Sequence, residues 1–441
     1  MVNWFEWDDQ KISTDDRFKL IFIRRFGQEE SDWMEKGVFG RKGMESYSNM
    51  YMPILVDSDE RPDIFIKYGI KSTPSVVITT KDGKIIAGGG TADYETFIKF
   101  MIELGVLINR EKNIIEKIAS EDLEEDTDEI FVEDEKNLLK QAETLADGII
   151  DKLIKPGYFS TYWLLIILEY LLKKGNKTKA YDVVSILEKN EDKVGKGIFA
   201  GSTLENPTVF STYKESFLNV KYARLLNKLG EEEAKYKEKS ESILEFCNSM
   251  KNSEVYSSAF AEDNEYYKST ESIRNIRPKP KLNPRIFFNV NAAIASELCM
   301  LGKTNDAKSI MEKIEANLVE KKNGKIYKVY HSDKKDVSNL IIDIAYGAYA
   351  YSSIFRATGE QPYKEKTLEL ISLINHKKGK RLFFEFDPNG FGFIKKRKID
   401  ILGNIIMTKA LENLGFDATQ MKTYLINFIQ VNPFYLIHLL T

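Results

Sequence analysis

Leu171-Leu172-Lys173-Lys174-Gly175 closes the longest apolar run of the chain, residues 163–172, and its form returns four times: LNKLG at 226–230, CMLGK at 299–303, RATGE at 356–360 and ENLGF at 412–416. In each, an apolar helical pattern ends in glycine and a polar helix start follows at once. Glycine in that place is the ordinary left-handed residue that ends a helix. The glycines are 55, 72, 57 and 56 residues apart, which marks a repeat of helical hairpins. Longer segments join them, at 193–208, 251–287, 321–336 and 376–397, so short turns fall on one rim and long loops on the other. Five hairpins supply ten helices. A helix at about 136–154 and a last one after Asn432-Pro433 form a sixth pair if the ring closes. The expected architecture over residues 139–441 is an all-α (α/α)6 toroid, with an open α-solenoid as the alternative.

The chain has 441 residues, 43% hydrophobic and 30% charged, an ordinary globular balance. Its formal charge of −3 hides a local bias: residues 121–135 hold ten acids and no base, and removing those ten from the total leaves +7. Spread so thinly, that excess does not point to nucleic acid. The acidic stretch reads as a solvated connector, placed at residues 106–138. The run at 163–172 contains Glu169 and is about half as long as a membrane crossing requires. The N-terminal MVNWFEWDDQ is acidic, unlike a signal peptide, so a cytoplasmic protein without a membrane partner is expected. Cys247 and Cys299, both within helical patterns, read as buried thiols. With only three histidines they make no metal cluster, and no cofactor is expected.

Residues 1–105 read differently. Strand patterns at 19–26, 51–57, 75–80 and 84–87 alternate with helix patterns at 30–50, 59–68 and 94–104, the last ending at Gly105. Asp82-Gly83 is a hairpin signal. A small α/β domain follows from that order.

The Thr73-Pro74 pair before an apolar strand, followed by Lys81-Asp82-Gly83, resembles the thioredoxin fold, in which the proline is cis and its neighbour faces the active site. Val56-Asp57-Ser58-Asp59-Glu60-Arg61-Pro62-Asp63 is similar to the V-D-x-E-E-R-P-D of the two-domain spermatogenesis-associated thioredoxin-like proteins. That family also carries a C-x-x-C at the start of the first helix. Here Gly27 and Trp33 match, but the two cysteine positions hold Ser31 and Met34. Thiol–disulfide exchange needs a thiolate, which neither side chain supplies. Glu29, Glu30 and Asp32 suit a helix start, with Ser31 as its expected N-cap. A redox-inactive domain is expected, with Ser31, Trp33, Met34, Thr73 and Pro74 as its groove. A serine nucleophile at Ser31 would lack a partner, because no histidine precedes His331.

The same family joins this domain to a six-hairpin toroid related to glycan-processing enzymes and sugar 2-epimerases. The resemblance covers nearly the whole chain, but its later motifs are altered. A family segment P-H-F-E-K-M-L-Y-D-N-A corresponds to residues 211–221, where its His, Glu and Asp have become Thr212, Lys214 and Asn219. Of S-W-N-G only Asn289 matches, and of F-L-D-D-Y-A the second Asp, Asp343.

Glycoside hydrolysis needs an acid and a carboxylate base across a cleft, and epimerisation needs proton-transferring groups on both sides of a sugar carbon. The catalytic candidates are Asp343, Glu385 and Asp263, with Asp387 and Glu262 beside them. Asp343 sits among Ile341, Ile342 and Ile344, so it either projects toward the ring axis or is buried in a hydrogen bond. Ligand-binding candidates are Asn289, Asp343, His331, Tyr266 and Tyr267. The segment at 382–393 reads as a β-hairpin over the ring mouth. The favoured expectation is a redox-inactive binding or scaffold protein for a sugar-like ligand or protein partner. The alternative is a sugar-directed hydrolase or epimerase working in the toroid.

Overall fold

Phe18–Arg24 is apolar at almost every position, as a strand covered on both faces must be. The computed structural model describes residues 2–48, 50–120, 135–154, 160–202, 209–379, 381–385, 398–429 and 432–441. They fall into two units, Met1–Thr127 with Glu385–Lys398, and Asp128–Phe384 with Ile399–Thr441. Most of the acidic stretch, residues 121–134, and residues 386–397, with Asp387 and most of the hairpin expected at 382–393, lie outside the described residues.

The first unit runs β1 (Phe5–Glu6), α1 (Asp9–Thr14), β2 (Phe18–Arg24), α2 (Glu29–Met34), α3 (Met44–Ser48), β3 (Tyr51–Asp57), α4 (Pro62–Lys67), β4 (Ser75–Thr79), β5 (Ile85–Gly89) and α5 (Tyr94–Ser120). A π-helical turn, Glu35–Phe39, continues α2. The sheet is mixed, in the order β1-β3-β2-β4-β5. β3 lies parallel to β1 and β2, whereas β4 pairs antiparallel with β2 and β5. Alternation along β2 sends Leu20 and Phe22 to one face, with Met34, Phe97 and Met101, and Ile21 and Ile23 to the other, with Ile12 and Ile64. The result is a sheet between two helical layers. The Thr73–Pro74 peptide is cis.

Three local expectations need correction. The sequence patterns omit β1 and α1, although Asp8 caps α1 by accepting from the backbone of Gln10 and Lys11. α2 begins at Glu29 with Gln28 as N-cap, so Ser31 lies inside the helix and does not cap it. α5 does not stop at Gly105, because the apolar stripe Phe97, Met101, Leu104 continues to buried Ile108 and outweighs one glycine in a helix interior.

The second unit comprises α6 (Glu135–Leu153), α7 (Thr161–Lys173), α8 (Lys177–Leu187), α9 (Ser216–Leu229), α10 (Ala234–Asn248), α11 (Asn264–Tyr267), α12 (Glu271–Arg274), α13 (Phe288–Met300), α14 (Thr304–Leu318), α15 (Ile341–Thr358), α16 (Gln361–Leu373), α17 (Ile401–Asn413), α18 (Thr419–Ile429) and α19 (Pro433–Leu440). α7, α9, α13, α15, α17 and α19 each pack on the next, and α19 returns to α7. This closes an inner ring of six. α8, α10, α14, α16 and α18 lie outside their hairpin partners, while α6 packs on α19 as the sixth outer helix. Burial separates the layers: ten of the thirteen residues of α13 are buried, against two of thirteen in α16. The unit is an (α/α)6 toroid, closed by the first and last helices.

Gly175, Gly302, Gly359 and Gly415 end their helices with φ between 70° and 81°, as capping glycines do. Gly230 differs. Its φ is −65°, and a Cβ there would lie 2.8 Å from the backbone nitrogen of Lys237, so this glycine serves the close approach of α10. Among the described residues no helix is long and apolar enough to cross a membrane.

Candidate functional site

The long-loop rim is held by one device used three times. Asn219, Asn291 and Asn404 are each the fourth residue of an inner helix, α9, α13 and α17. The amide of Asn219 accepts from Ile198 N–H at 2.7 Å and donates to Ile198 C=O at 3.1 Å. Asn291 does the same with Tyr256, and Asn404 with Phe383. Each also donates to the carbonyl four residues back, in Glu215, Phe287 or Asp400. Buried loop backbone is thereby paired where no sheet is available.

In α15 the fourth residue is Ile344, and the rim is held by its neighbour instead. Both carboxylate oxygens of Asp343 lie 3.0 Å from Nδ1 of His331, with Asp343 fully buried and His331 nearly so. The His331 ring packs on Phe287, and its carbonyl accepts from Phe288 N–H. Asp343 therefore spends its oxygens on a loop and does not project freely toward the axis. His331 is likewise a buried joint, although its polar surroundings in sequence suggest a rim loop.

The axis is occupied by charges from four inner helices. Lys221 Nζ lies 2.5 Å from Glu169 and 3.2 Å from Glu297, and Arg224 donates to the same two carboxylates through Nη2 and Nε. Burial alone would raise the Glu169 carboxyl, but Arg224 and Lys221, with Lys409, hold it well below the usual range. Lys409, on α17, donates to Thr441 Oγ1 at 2.6 Å. Burial pushes its amine down to about 7, against the pull of Glu169. Burial, then Lys409 and Lys221, also lower His438 on α19, so this imidazole is neutral at ordinary pH. Its ring lies 6.2 Å from that of Tyr162 on α7. Tyr162 OH and His438 Nδ1 are both buried without a hydrogen-bond partner among the described residues. Phe217 and Tyr346, on inner helices separated by α13, bring their rings within 6.2 Å and so meet across the bore.

The remaining toroid candidates are scattered. Asp263 caps α11 by accepting from Tyr266 N–H at 2.7 Å. Tyr266 and Tyr267 stand edge to face at 5.3 Å and line a separate pocket. Glu385 is buried. Asn289 is the second residue of α13 and accepts from Val290 N–H. Asp343 is engaged by His331 and Asp263 by the start of α11, Glu385 belongs to the first unit, and the three form no described acid–base pair. Cys247 and Cys299 are free and buried, and burial pushes the Cys247 thiol up to about 12.

In the first unit Ser31 is buried, accepting from Arg25 N–H at 3.2 Å and donating to Gln28 Oε1 at 2.7 Å. Gln28 Nε2 donates to Thr73 C=O at 2.9 Å. Met34 and Pro74 are buried, and Trp33 is 49% exposed. Asp57, at the end of β3, has its carboxyl raised to about 7 by burial and by the nearby Asp59 and Glu60.

Sequence reasoning misses the axial cluster and the asparagine device. The asparagines leave a usable trace, the same residue at the fourth place of three apolar helices, but the resemblance presents Asn219 as a lost aspartate and singles out Asn289 in place of Asn291. Lys221, Arg224 and Lys409 leave none, since charged residues three to five apart on a helix ordinarily read as its solvated face.

No family model matches the chain, and no curated protein matches it either. Among solved structures, it is similar to an α-amylase from Clostridium perfringens, with 13% identity and a TM-score of 0.46, over 66% of this chain and 86% of that one. It is also similar to the cellobiose 2-epimerase of Bacillus thermoamylovorans, with 10% identity, a TM-score of 0.47 and coverage of 67% and 88%. A third is a family 76 α-mannanase from Bacteroides thetaiotaomicron, with 13% identity, a TM-score of 0.42 and coverage of 68% and 84%.

Proposed function

We propose that the toroid is a carbohydrate-directed unit whose ring axis performs proton transfer of the epimerase type, and not hydrolysis by two carboxylates. The observation that carries this is a pair of buried polar atoms without partners among the described residues, Tyr162 OH and His438 Nδ1, beside an amine that titrates near neutrality. A buried group left unpaired calls for a water or ligand to satisfy it. A sugar hydroxyl both donates and accepts, so it can answer a phenol and an imidazole alike. A neutral imidazole can accept the proton from the carbon beside a sugar carbonyl, and Lys409, near its midpoint at neutral pH, can return one. Hydrolysis would need a carboxylic acid kept protonated, whereas Glu169 is held ionised by Arg224 and Lys221.

The first unit fits a thioredoxin-like domain without redox chemistry. Its strand order and the antiparallel β4 and β5 support the fold, and the absence of cysteine before residue 247 supports the loss of activity. A binding role for the whole chain is the second reading, favoured by the rings of Phe217 and Tyr346 that narrow the bore.

The test is incubation in D2O with glucose, mannose and cellobiose, followed by proton NMR at C2. Loss of the C2 proton signal, abolished in His438→Gln and Lys409→Met, is the expected result. Release of reducing ends without C2 exchange would favour hydrolysis. Binding without either reaction would favour the second reading.

A further inference from the structure

The long loops of the first two hairpins and the end of α10 line a pocket of about 340 Å³ that includes none of the axial groups. Its floor is a buried triad. Lys214 Nζ lies 2.6 Å from Asp192 Oδ2 and 2.7 Å from the carbonyl of Lys196, while Arg274 Nη1 lies 2.9 and 2.7 Å from the two oxygens of the same carboxylate. The side chains of Lys214, Asp192 and Arg274 are 2%, 1% and 6% exposed, so two cations share one anion out of water. The rings of Phe199, Phe246 and Tyr267 stand 4.8–5.0 Å from the Lys214 ammonium and offset part of that excess.

The backbone is built around this floor. A Cβ on Gly195 would lie 2.8 Å from Asp192 Oδ2 and 3.0 Å from Arg274 Nη1. One on Gly197 would meet the Phe246 ring at 2.5 Å. Higher in the pocket Lys196 is neutralised by Glu245 at 2.6 Å, whereas exposed Lys279 adds a further positive charge. The lining therefore holds two cations in excess, next to the aromatic surfaces of Phe260 and Tyr266.

We propose that this pocket binds a small carboxylate with a ring-shaped body, of the size and chemistry of a uronic acid. The ring lies against the aromatic wall, and the carboxylate supplies the charge that the triad and Lys279 leave unbalanced. The site uses none of the axial residues, so it stands or falls independently of proton transfer there.

Titration calorimetry of the full chain with glucuronate, glucose, benzoate and inorganic phosphate tests it. Glucuronate should bind at least tenfold more tightly than glucose, which differs only at C6, and should weaken as sodium chloride is raised. Lys279→Glu, on the exposed edge, should weaken glucuronate at least tenfold, and His438→Gln should leave it unchanged. Lys214→Met is the direct probe of the floor but removes a buried ion-pair partner, so Lys279→Glu keeps the test valid if that variant fails to fold. Equal binding of glucose and glucuronate, binding of phosphate alone, no binding at all, or indifference to Lys279→Glu would each overturn the proposal. Benzoate binding as tightly as glucuronate would overturn the assignment to a uronic acid.

Discussion

The Ser31 chain at the start of α2 in the first unit and the axis of the ring in the second treat buried polar groups in opposite ways. Ser31, Gln28 and Thr73 form a closed chain in which each described donor meets an acceptor. At the axis, Tyr162 OH and His438 Nδ1 are buried and unmet among the described residues. An unsatisfied buried group costs about 1–3 kcal/mol, so a fold that keeps two of them together gains nothing in stability from doing so. The charges divide in the same sense. Asp57 is crowded by acids, whereas Glu169 is held between cations. The chain of Ser31, Gln28 and Thr73 is completed by its own side chains, although Arg24 Nε at the end of β2 is buried and unmet among the described residues, and the ring axis holds polar groups that a ligand would complete.

The strongest way to break that contrast is Glu169→Leu, which leaves Lys221 and Arg224 sharing Glu297 alone. A loss of about 3–5 kcal/mol in urea unfolding is expected for a broken buried ion pair. A loss under about 1 kcal/mol would mean that the axial charges are solvated and not coupled.

Next in size is Asn404→Ala, which strands the N–H and C=O of Phe383. The expected cost is about 2–3 kcal/mol, with a similar cost for Asn219→Ala and Asn291→Ala. Unequal losses would show that the three rim joints are not one device.

The pH dependence separates the two units by sign. Asp57 has a folded value of about 7, above the ordinary 3.8, so the folded state binds the extra proton. Its contribution is full below 3.8 and is lost as pH rises through about 7. Lys409, at about 7 and below the ordinary 10.5, makes the unfolded state bind the extra proton, so stability rises between those values. Melting curves should show Asp57→Asn gaining stability above pH 7 relative to its effect at pH 4. Lys409→Met should flatten the rise on the alkaline side. Changes of slope of the same sign in the two variants, relative to the parent chain, would break the comparison.

The smallest effect sharpens it. Ser31→Ala removes one joint of a chain whose other bond, Gln28 to Thr73, survives, and should cost about 1 kcal/mol by thermal shift. It should leave sugar exchange at C2 untouched.

The glycine-ended hairpins are legible because a helix, its stripe and its cap are settled within a few residues. Gly175, Gly302, Gly359 and Gly415 need no distant partner to end a helix. Gly105 misleads because the same local rule ignores the apolar stripe that carries α5 onward to Ile108. Ser31 misleads for a related reason: a good capping residue stands two places past the true start at Glu29, and Gln28 has no capping signature. Asp343 is visible as a polar residue among isoleucines, but its partner His331 lies on a different element.

The sequence by itself therefore determined the elements and their repeat: α/β order first, then paired helices with short turns on one rim. Only the tertiary structure decided which charges meet. Glu169, Lys221, Arg224, Glu297 and Lys409 belong to four helices spread over most of the second unit, and Lys221, Arg224 and Lys409 taken alone resemble surface residues of an amphipathic pattern. Closure of the ring turns those faces inward, removes their water and couples them, and interactions of that kind have no period along the chain.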